Sequence, residues 1–428
     1  MRRAKVPASV VLVASFLGTA FAADAPLPSR PNIVVILADD FGPECVGAYG
    51  GTSYRTPNLD ALARSGIRFA NAYATPLCSP SRVQLMTGRY GFRTGWTELI
   101  GAKTPRCLDP KEKTFGHILK AHGYATALAG KWQLARFDER PDHVKECGFD
   151  ESCAWAWVFD GKKTPRYWRP ELWQDGMMRG DVADRYGEDV FREFLVKFME
   201  RSRGRPFFAY YPMVLTHDPF EPPPGSPGAG KKKAKASTEN FPAMVAYLDA
   251  TVGRFVAELE RLGLRENTLI LFTGDNGTPR AITSRLGERA VKGGKGQMTH
   301  IGCNVPLLAS WPGKIPAGRV SGDLIDLSDV VPTLCELTGA PLPEGPIDGR
   351  SFAPQLRGER GEPREWIFSQ LGQKRFVRGG RFLLHEDGRL YDVVLDPFEE
   401  KDLAGSEDAE AKAAKRRLGE ALARLVAR

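Results

Sequence analysis

Four apolar runs along the chain stop abruptly at clusters of polar residues. Asn32–Ala38 ends in Asp39-Asp40, and 124–130 ends in Lys131-Trp132-Gln133. The run 206–215 ends in Thr216-His217-Asp218, and 268–273 ends in Gly274-Asp275-Asn276-Gly277. Continuous apolar runs of this length are expected of strands buried on both faces of a parallel sheet. Helical spacing fills the gaps between them. A helix over 114–122 is stopped by Gly123. A second over 244–262 carries Tyr247, Leu248, Val252, Phe255, Val256 and Leu259 at helical intervals and is stopped by Gly263. Strands alternating with helices predict an α/β fold, a mostly parallel sheet flanked by helices. Ligands of such sheets sit beyond the carboxyl ends of the strands, where all four polar clusters fall.

Residues Arg2, Arg3 and Lys5 precede an apolar stretch over 6–21 and the small-residue pattern Ala20-Phe21-Ala22. This reads as a secretory signal peptide over 1–22, too short to favour a spanning anchor. No later stretch is long and apolar enough for a bilayer, so stable membrane insertion is not expected after cleavage. Among 428 residues, 42% are hydrophobic, which excludes disorder as the main state. The formal charge of +8 falls to +5 when Arg2, Arg3 and Lys5 are removed. So small a surplus, without a reading motif, does not point to nucleic acid. Seven cysteines exclude a disulfide-dense scaffold. Cys147 and Cys153 are close enough in sequence to pair; free buried thiols are the alternative.

Asp39, Asp40, Asp275 and Asn276 offer only oxygen ligands. Such a set suits a hard divalent cation, Ca²⁺ or Mg²⁺, although each pair alone is also ordinary turn chemistry. Cys78-Ser79-Pro80-Ser81-Arg82 opens a predicted helix that closes near Gly88, with Ser79 as N-cap and Pro80 in the first helical position. Cys78 at that positive terminus, close to Arg82, would favour a thiolate or a bound anion; an inert buried cysteine is the other reading.

With Val83-Gln84-Leu85-Met86-Thr87-Gly88-Arg89 following it, the Cys78 segment resembles the type I sulfatase signature, C-x-P-S-R continued by T-G-R. The stretch from Pro31 to Asp40, Thr56-Pro57-Asn58-Leu59-Asp60, Gly130-Lys131-Trp132, the His217 segment, Gly274 to Gly277 and Gly293 to Gly296 are similar to further blocks of that family. Leu390-Tyr391-Asp392, Asp396-Pro397 and Asp402-Leu403 resemble its last subdomain. The resemblance implies an alkaline-phosphatase-like α/β domain, here 30–340, with a smaller C-terminal α/β subdomain over 341–428. It implies hydrolysis of sulfate esters, with Cys78 oxidised to formylglycine by a maturase during biosynthesis. By position, Asp39, Asp40, Asp275 and Asn276 match the metal ligands together with residue 78, usually around calcium, with magnesium as the alternative. Arg82 and Lys131 match residues that hold the hydrated aldehyde, Lys295 the lysine on the sulfate and leaving oxygen, and His217 the proton donor to the leaving group.

One position departs from the family pattern. G-K-W-H is the usual sequence, whereas Gln133 stands here, and an amide cannot act as a base at neutral pH. His300, in Thr299-His300-Ile301-Gly302, is read as a loop residue, with replacement of the missing imidazole as the alternative. The expected partner is a sulfated glycan or small molecule, met after export to periplasm or medium. A phosphoesterase of the same superfamily and a non-catalytic binder of sulfated glycans stay open as other readings. For specificity, Trp168 and Arg169 beside Pro170 are candidates for loop exposure. The Pro/Gly-rich segment 221–237, with its lysine run at 231–235, is read as a solvated insert. The tail 407–428 is an amphipathic helix, with Leu418, Leu422 and Leu425 packing on the main body.

Overall fold

Every residue of β1 (Asn32–Ala38) is buried, as its unbroken apolar sequence requires. The computed structural model describes residues 30–102, 106–231 and 235–426, so the signal-peptide segment 1–22 and positions 232–234 of the lysine run lie outside the described residues. Next come β2 (Ile67–Tyr73), β3 (Ala125–Lys131) and β4 (Glu151–Trp155), then a small hairpin of β5 (Val158–Phe159) and β6 (Lys162–Lys163). The chain continues through β7 (Leu172–Gln174), β8 (Met177–Met178), β9 (Phe207–Pro212) and β10 (Thr268–Gly274). A second hairpin, β11 (Thr283–Leu286) and β12 (Arg289–Lys292), precedes β13 (Asn304–Ser310) and β14 (Arg319–Asp326).

Ten of these strands form one sheet in the order β14-β2-β13-β10-β1-β9-β3-β4-β7-β8. The five central strands, β10 to β4, are parallel to one another. β13, β7 and β8 run antiparallel to their neighbours. Helices Gly187–Arg201 and Phe241–Arg261 bury an apolar stripe each, and the latter begins three residues before its expected start, with Pro242 in the first turn. The helix expected over 114–122 spans Phe115–Ala121. Thr114 caps it by accepting from the His117 amide, and His117 reaches back to the Thr114 amide.

A separate four-stranded antiparallel sheet follows: β15 (Ile367–Leu371), β16 (Lys374–Gly379), β17 (Phe382–His385) and β18 (Leu390–Asp392). Helix Ala409–Val426 covers it with Leu418, Leu422 and Leu425 buried beside Val377, Phe382 and Leu384. The tail thus packs on the small sheet. Among the described residues, no helix is long and apolar enough to cross a membrane. Cys147 and Cys153 are both free, buried thiols, so the pairing left open above is not formed.

Candidate active site

The parallel register carries the four polar clusters to one end of the sheet. Ala38 pairs with Gly274, which sets Asp39 beside Asp275 at the carboxyl ends of β1 and β10. Two glycines make the approach close enough. A Cβ on Gly274 would stand 2.3 Å from the Phe41 carbonyl oxygen, and one on Gly130, at φ 131°, would stand 1.9 Å from that of Pro212. The His217 segment is laced to the same end: the Asp39 amide donates to Leu215 O at 2.7 Å, and the Thr216 amide to Asp39 O at 2.6 Å.

Helix Cys78–Thr87 delivers the signature, buried throughout and closed by Gly88 in the left-handed region. Its N-cap is Leu77, without a side-chain cap, rather than Ser79. The Ser79 hydroxyl is turned instead toward Gln133 O at 3.5 Å and the Ile100 amide at 3.3 Å. Cys78 Sγ lies 3.4 Å from Asp39 Oδ1 and 3.8 Å from Asp40 Oδ1. A thiolate is disfavoured there, contrary to the expectation from the helix terminus. Burial, then Asp275 and Asp39, push the Cys78 thiol well above its ordinary range against the pull of Lys131 and Lys295. Arg82 does not reverse this because it is committed elsewhere: Nη2 bonds Asp275 at 2.7 Å and Nη1 bonds Lys131 O at 3.0 Å.

Lys131 Nζ donates to both oxygens of Asp39 at 2.8 Å, with both side chains fully buried. Burial opposes charge on Asp39, but Lys131, His217, Arg82 and Lys295 together hold its carboxyl well below the usual range. Asp275 goes the other way: burial and the neighbouring Asp39 raise it, against Arg82 and Lys131. Lys295 Nζ bonds Asp40 Oδ2 at 2.6 Å. Burial works against its charge and Asp40 outweighs it, so the ammonium is held above its ordinary range. His217 Nδ1 donates to Asp218, at 2.9 Å from Oδ1, and its Nε2 faces Asp40 Oδ2 at 3.8 Å.

The oxygens of Asp39 and Asp40 suit a hard cation; the group that lies closest together adds a thiol and an imidazole and does not include Asp275. Ligand atoms of Asp39, Asp40, Cys78 and His217 lie within 4.8 Å of one another. Asn276 Nδ2 is used on Asp40 Oδ1 at 2.8 Å, while Asn276 Oδ1 is buried without a partner. An orphaned carbonyl oxygen among three carboxylates is what a calcium- or magnesium-sized ion would satisfy. Asp40 and Gln133 both hold the left-handed backbone, at φ 61° and 50°, a cost that concentrates at functional sites.

Gln133 is buried beside the Cys78 helix, with Oε1 lacking a partner. His300 does not replace the missing imidazole. Its Nδ1 meets the Tyr73 hydroxyl at 2.7 Å, its amide donates to Glu399, and Arg378 bonds the same Tyr73 hydroxyl, so the ring belongs to the seam between the two sheets. Trp168 and Arg169 are half-buried, not free. Trp168 Nε1 donates to Pro222 O at 2.9 Å and Arg169 to Gly230 O at 2.7 Å, clasping the loop that begins after His217. Sequence reasoning missed Arg166, whose guanidinium reaches within 3.9 Å of Asp39. The only signal was a basic residue amid the aromatics of 153–173.

A family model described as Sulfatase matches residues 31–340. Arylsulfatase A from Homo sapiens is 34% identical, over 90% of this chain and 86% of that protein. N-acetylgalactosamine-6-sulfatase from Canis lupus familiaris is also 34% identical, over 82% and 69%. Among solved structures, Ps i-CgsB superposes with a TM-score of 0.78 at 26% identity, over 91% of this chain and 92% of that one. It has also been solved in complex with k-i-k-neocarrahexaose.

Proposed function

The chain belongs to the sulfatase family of the alkaline phosphatase superfamily and is a sulfuric ester hydrolase, and from that premise we propose that it is exported and cleaves sulfate esters of carbohydrates, with residue 78 as nucleophile after conversion of Cys78 to formylglycine. The observation that carries this reading is the position of Cys78 Sγ, 3.4 Å from Asp39 and ringed by Arg82, Lys131, Lys295 and His217. A buried thiol pushed upward is a poor nucleophile as it stands, which favours a chemically converted side chain.

Asp39, Asp40, Asp275 and Asn276 would hold a calcium or magnesium ion, which supplies positive charge beside the nucleophile and the sulfate oxygens. The formylglycine hydrate supplies a hydroxyl for attack on sulfur and a second hydroxyl for releasing sulfate. Lys131 and Arg82 fix Asp39 and Asp275, so the nucleophile meets rigid carboxylates. Lys295, at the mouth, neutralises charge that develops between sulfur and the leaving oxygen. His217 is oriented by Asp218 through Nδ1, which leaves Nε2 as the atom that delivers a proton to the departing alcohol. Gln133 offers hydrogen bonds in the release step but no basic nitrogen. The carbohydrate substrate is supported by the oligosaccharide complex of Ps i-CgsB.

The test joins mass spectrometry to turnover. Peptide 69–82 from protein made in its native host should carry the aldehyde at position 78. The protein should cleave 4-nitrophenyl sulfate faster than 4-nitrophenyl phosphate, and Cys78→Ala should abolish cleavage. An unmodified thiol throughout, or a preference for the phosphate, would overturn the reading.

A further inference from the structure

The cations around the pocket form two layers. The side chains of Arg82 and Lys131 are 1% and 0% exposed and are committed to Asp275 and Asp39. Nearer the mouth lie Lys295, His217 and Arg166, at 19%, 16% and 12%. Lys295 is engaged by Asp40 and His217 by Asp218. Arg166 is different. Its one ion-pair neighbour among the described residues is Asp39, 3.9 Å away and already held by Lys131 at 2.8 Å. Its Nη1 is buried with no hydrogen-bond partner.

The guanidinium is nevertheless fixed in place. It lies over the Trp155 ring, 3.9 Å from the centroid. Trp155 Nε1 donates to the Thr164 hydroxyl at 2.8 Å, and that hydroxyl donates to Ala156 O. Trp155 ends β4 in register with Lys131, so the stack stands at the carboxyl end of the sheet. On the following residue, the Tyr167 hydroxyl donates to Val214 O at 2.8 Å and contacts His217 O, tying the Arg166 segment to the His217 segment. An arginine held over an aromatic ring and left without a hydrogen-bond acceptor is preorganised for an anion, because its rotamer freedom is lost before binding.

The scissile sulfate must sit against residue 78, in the inner layer. The alcohol portion of the ester departs through the mouth and so faces the outer layer. We propose that Arg166 is a specificity-determining residue that binds a second anionic group, a carboxylate or another sulfate, on the alcohol portion of the ester. The proposal rests on the sulfatase reading above.

Two esters separate the two anions: 4-nitrophenyl sulfate, whose alcohol portion is uncharged, and its analogue bearing a carboxylate beside the ester. Arg166→Met keeps a stem against Trp155 and removes the charge. For the carboxylated ester, kcat/KM should fall about 30-fold, mainly through KM, as for loss of one charge-assisted hydrogen-bonded pair. The uncharged ester, having no group at Arg166, should lose about tenfold less than the carboxylated one on the same principle. Arg166→Lys should recover part of the loss. Equal losses on both esters would make Arg166 a ligand of the scissile sulfate and overturn the proposal, as would no loss on either. Calorimetric binding of the carboxylated ester to Cys78→Ala protein, with and without Arg166→Met, reads the same contact without turnover. If the wild type cleaved neither ester while that binding still depended on Arg166, hydrolysis would be refuted and the anion site upheld.

Discussion

Lys131→Met isolates the electrostatic frame of the pocket. Lys131 Nζ contacts both oxygens of Asp39 at 2.8 Å, and neither side chain reaches solvent. Removing one partner of such a pair costs roughly 3–5 kcal/mol, because a bare carboxylate stays buried. Arg82 remains 3.5 Å from Asp39, which sets the expectation at the lower end, about 3 kcal/mol. Unfolding entropy of about 2 cal/mol/K per residue then converts this to a fall in Tm of about 4 °C for a chain of this size. The cost should depend on calcium. In chelator only Arg82 would partly offset the Asp39 carboxylate; in millimolar calcium an ion held by the proposed ligands Asp39, Asp40, Asp275 and Asn276 would take over the lost charge. Scanning calorimetry of wild type and variant, each in chelator and in calcium, measures the four Tm values. The expected result is a gap that narrows in calcium. A gap of the same size under both conditions would refute the assignment of Asp39 to a cation site, and no gap in chelator would refute the buried-pair argument itself.

Gln133→His should raise kcat by about 100-fold, the low side of what a positioned general base contributes, and should remove a burst of alcohol release expected of the wild type in rapid quench; a wild type without a burst refutes slow sulfate release. His300 is held neutral by burial and by Arg378, with its pKa pushed down to about 3. Between that value and the ordinary histidine range the unfolded chain binds one more proton than the folded one, so stability falls as pH falls, by up to about 1.4 kcal/mol per unit. His300→Gln should flatten this slope in urea midpoints from pH 7 to pH 4, and an unchanged slope would refute it. Leu418 is fully buried between helix Ala409–Val426 and the small sheet. Leu418→Ala should cost about 3 kcal/mol of unfolding free energy, and a loss under about 1 kcal/mol would show that the site collapses around the cavity.

What was legible in the sequence follows from which forces are local. Strands β1, β3, β9 and β10 are buried on both faces, so each wrote an apolar run, which ended with β1, one residue short of the ends of β3 and β10, and three residues beyond the end of β9. The order of those ends in space comes from pairing across about 235 residues, as in Ala38 with Gly274, yet the rule about carboxyl ends made the site visible without it. Boundaries slipped where a cap depended on distant partners. Ser79 looks like an N-cap, but Gln133 O and the Ile100 amide claim its hydroxyl. For a related reason Arg166 was missed, and His300, which opens the short helix His300–Cys303, was read as a loop residue. The role of each is set by residues far along the chain, Asp39 for one and Tyr73 with Glu399 for the other.

Asn276 Oδ1, Gln133 Oε1 and Arg166 Nη1 are among the buried polar atoms about this pocket that lack partners within the described residues. Each unpaired group costs roughly 1–3 kcal/mol. The fold bears that cost beside Lys131, whose ammonium is engaged by Asp39, and beside Arg82, whose Nη1 and Nη2 are engaged by Lys131 O and Asp275 while its Nε is itself without a partner. The orphans also differ in sign. Two are acceptors and suit a cation or a hydroxyl proton; the third is a charged donor and suits an anion. A sulfate ester that carries a second anionic group on its alcohol portion, bound with its cation, would satisfy both kinds at once, whereas an inert core would relieve them with apolar side chains or internal partners. The same reasoning bears on Gln133. Its unpartnered oxygen is a cost that an apolar residue at position 133 would not incur, while the left-handed backbone would strain either. Under the proposed function, a hydroxyl of the nucleophile or substrate would meet the amide and offset that cost.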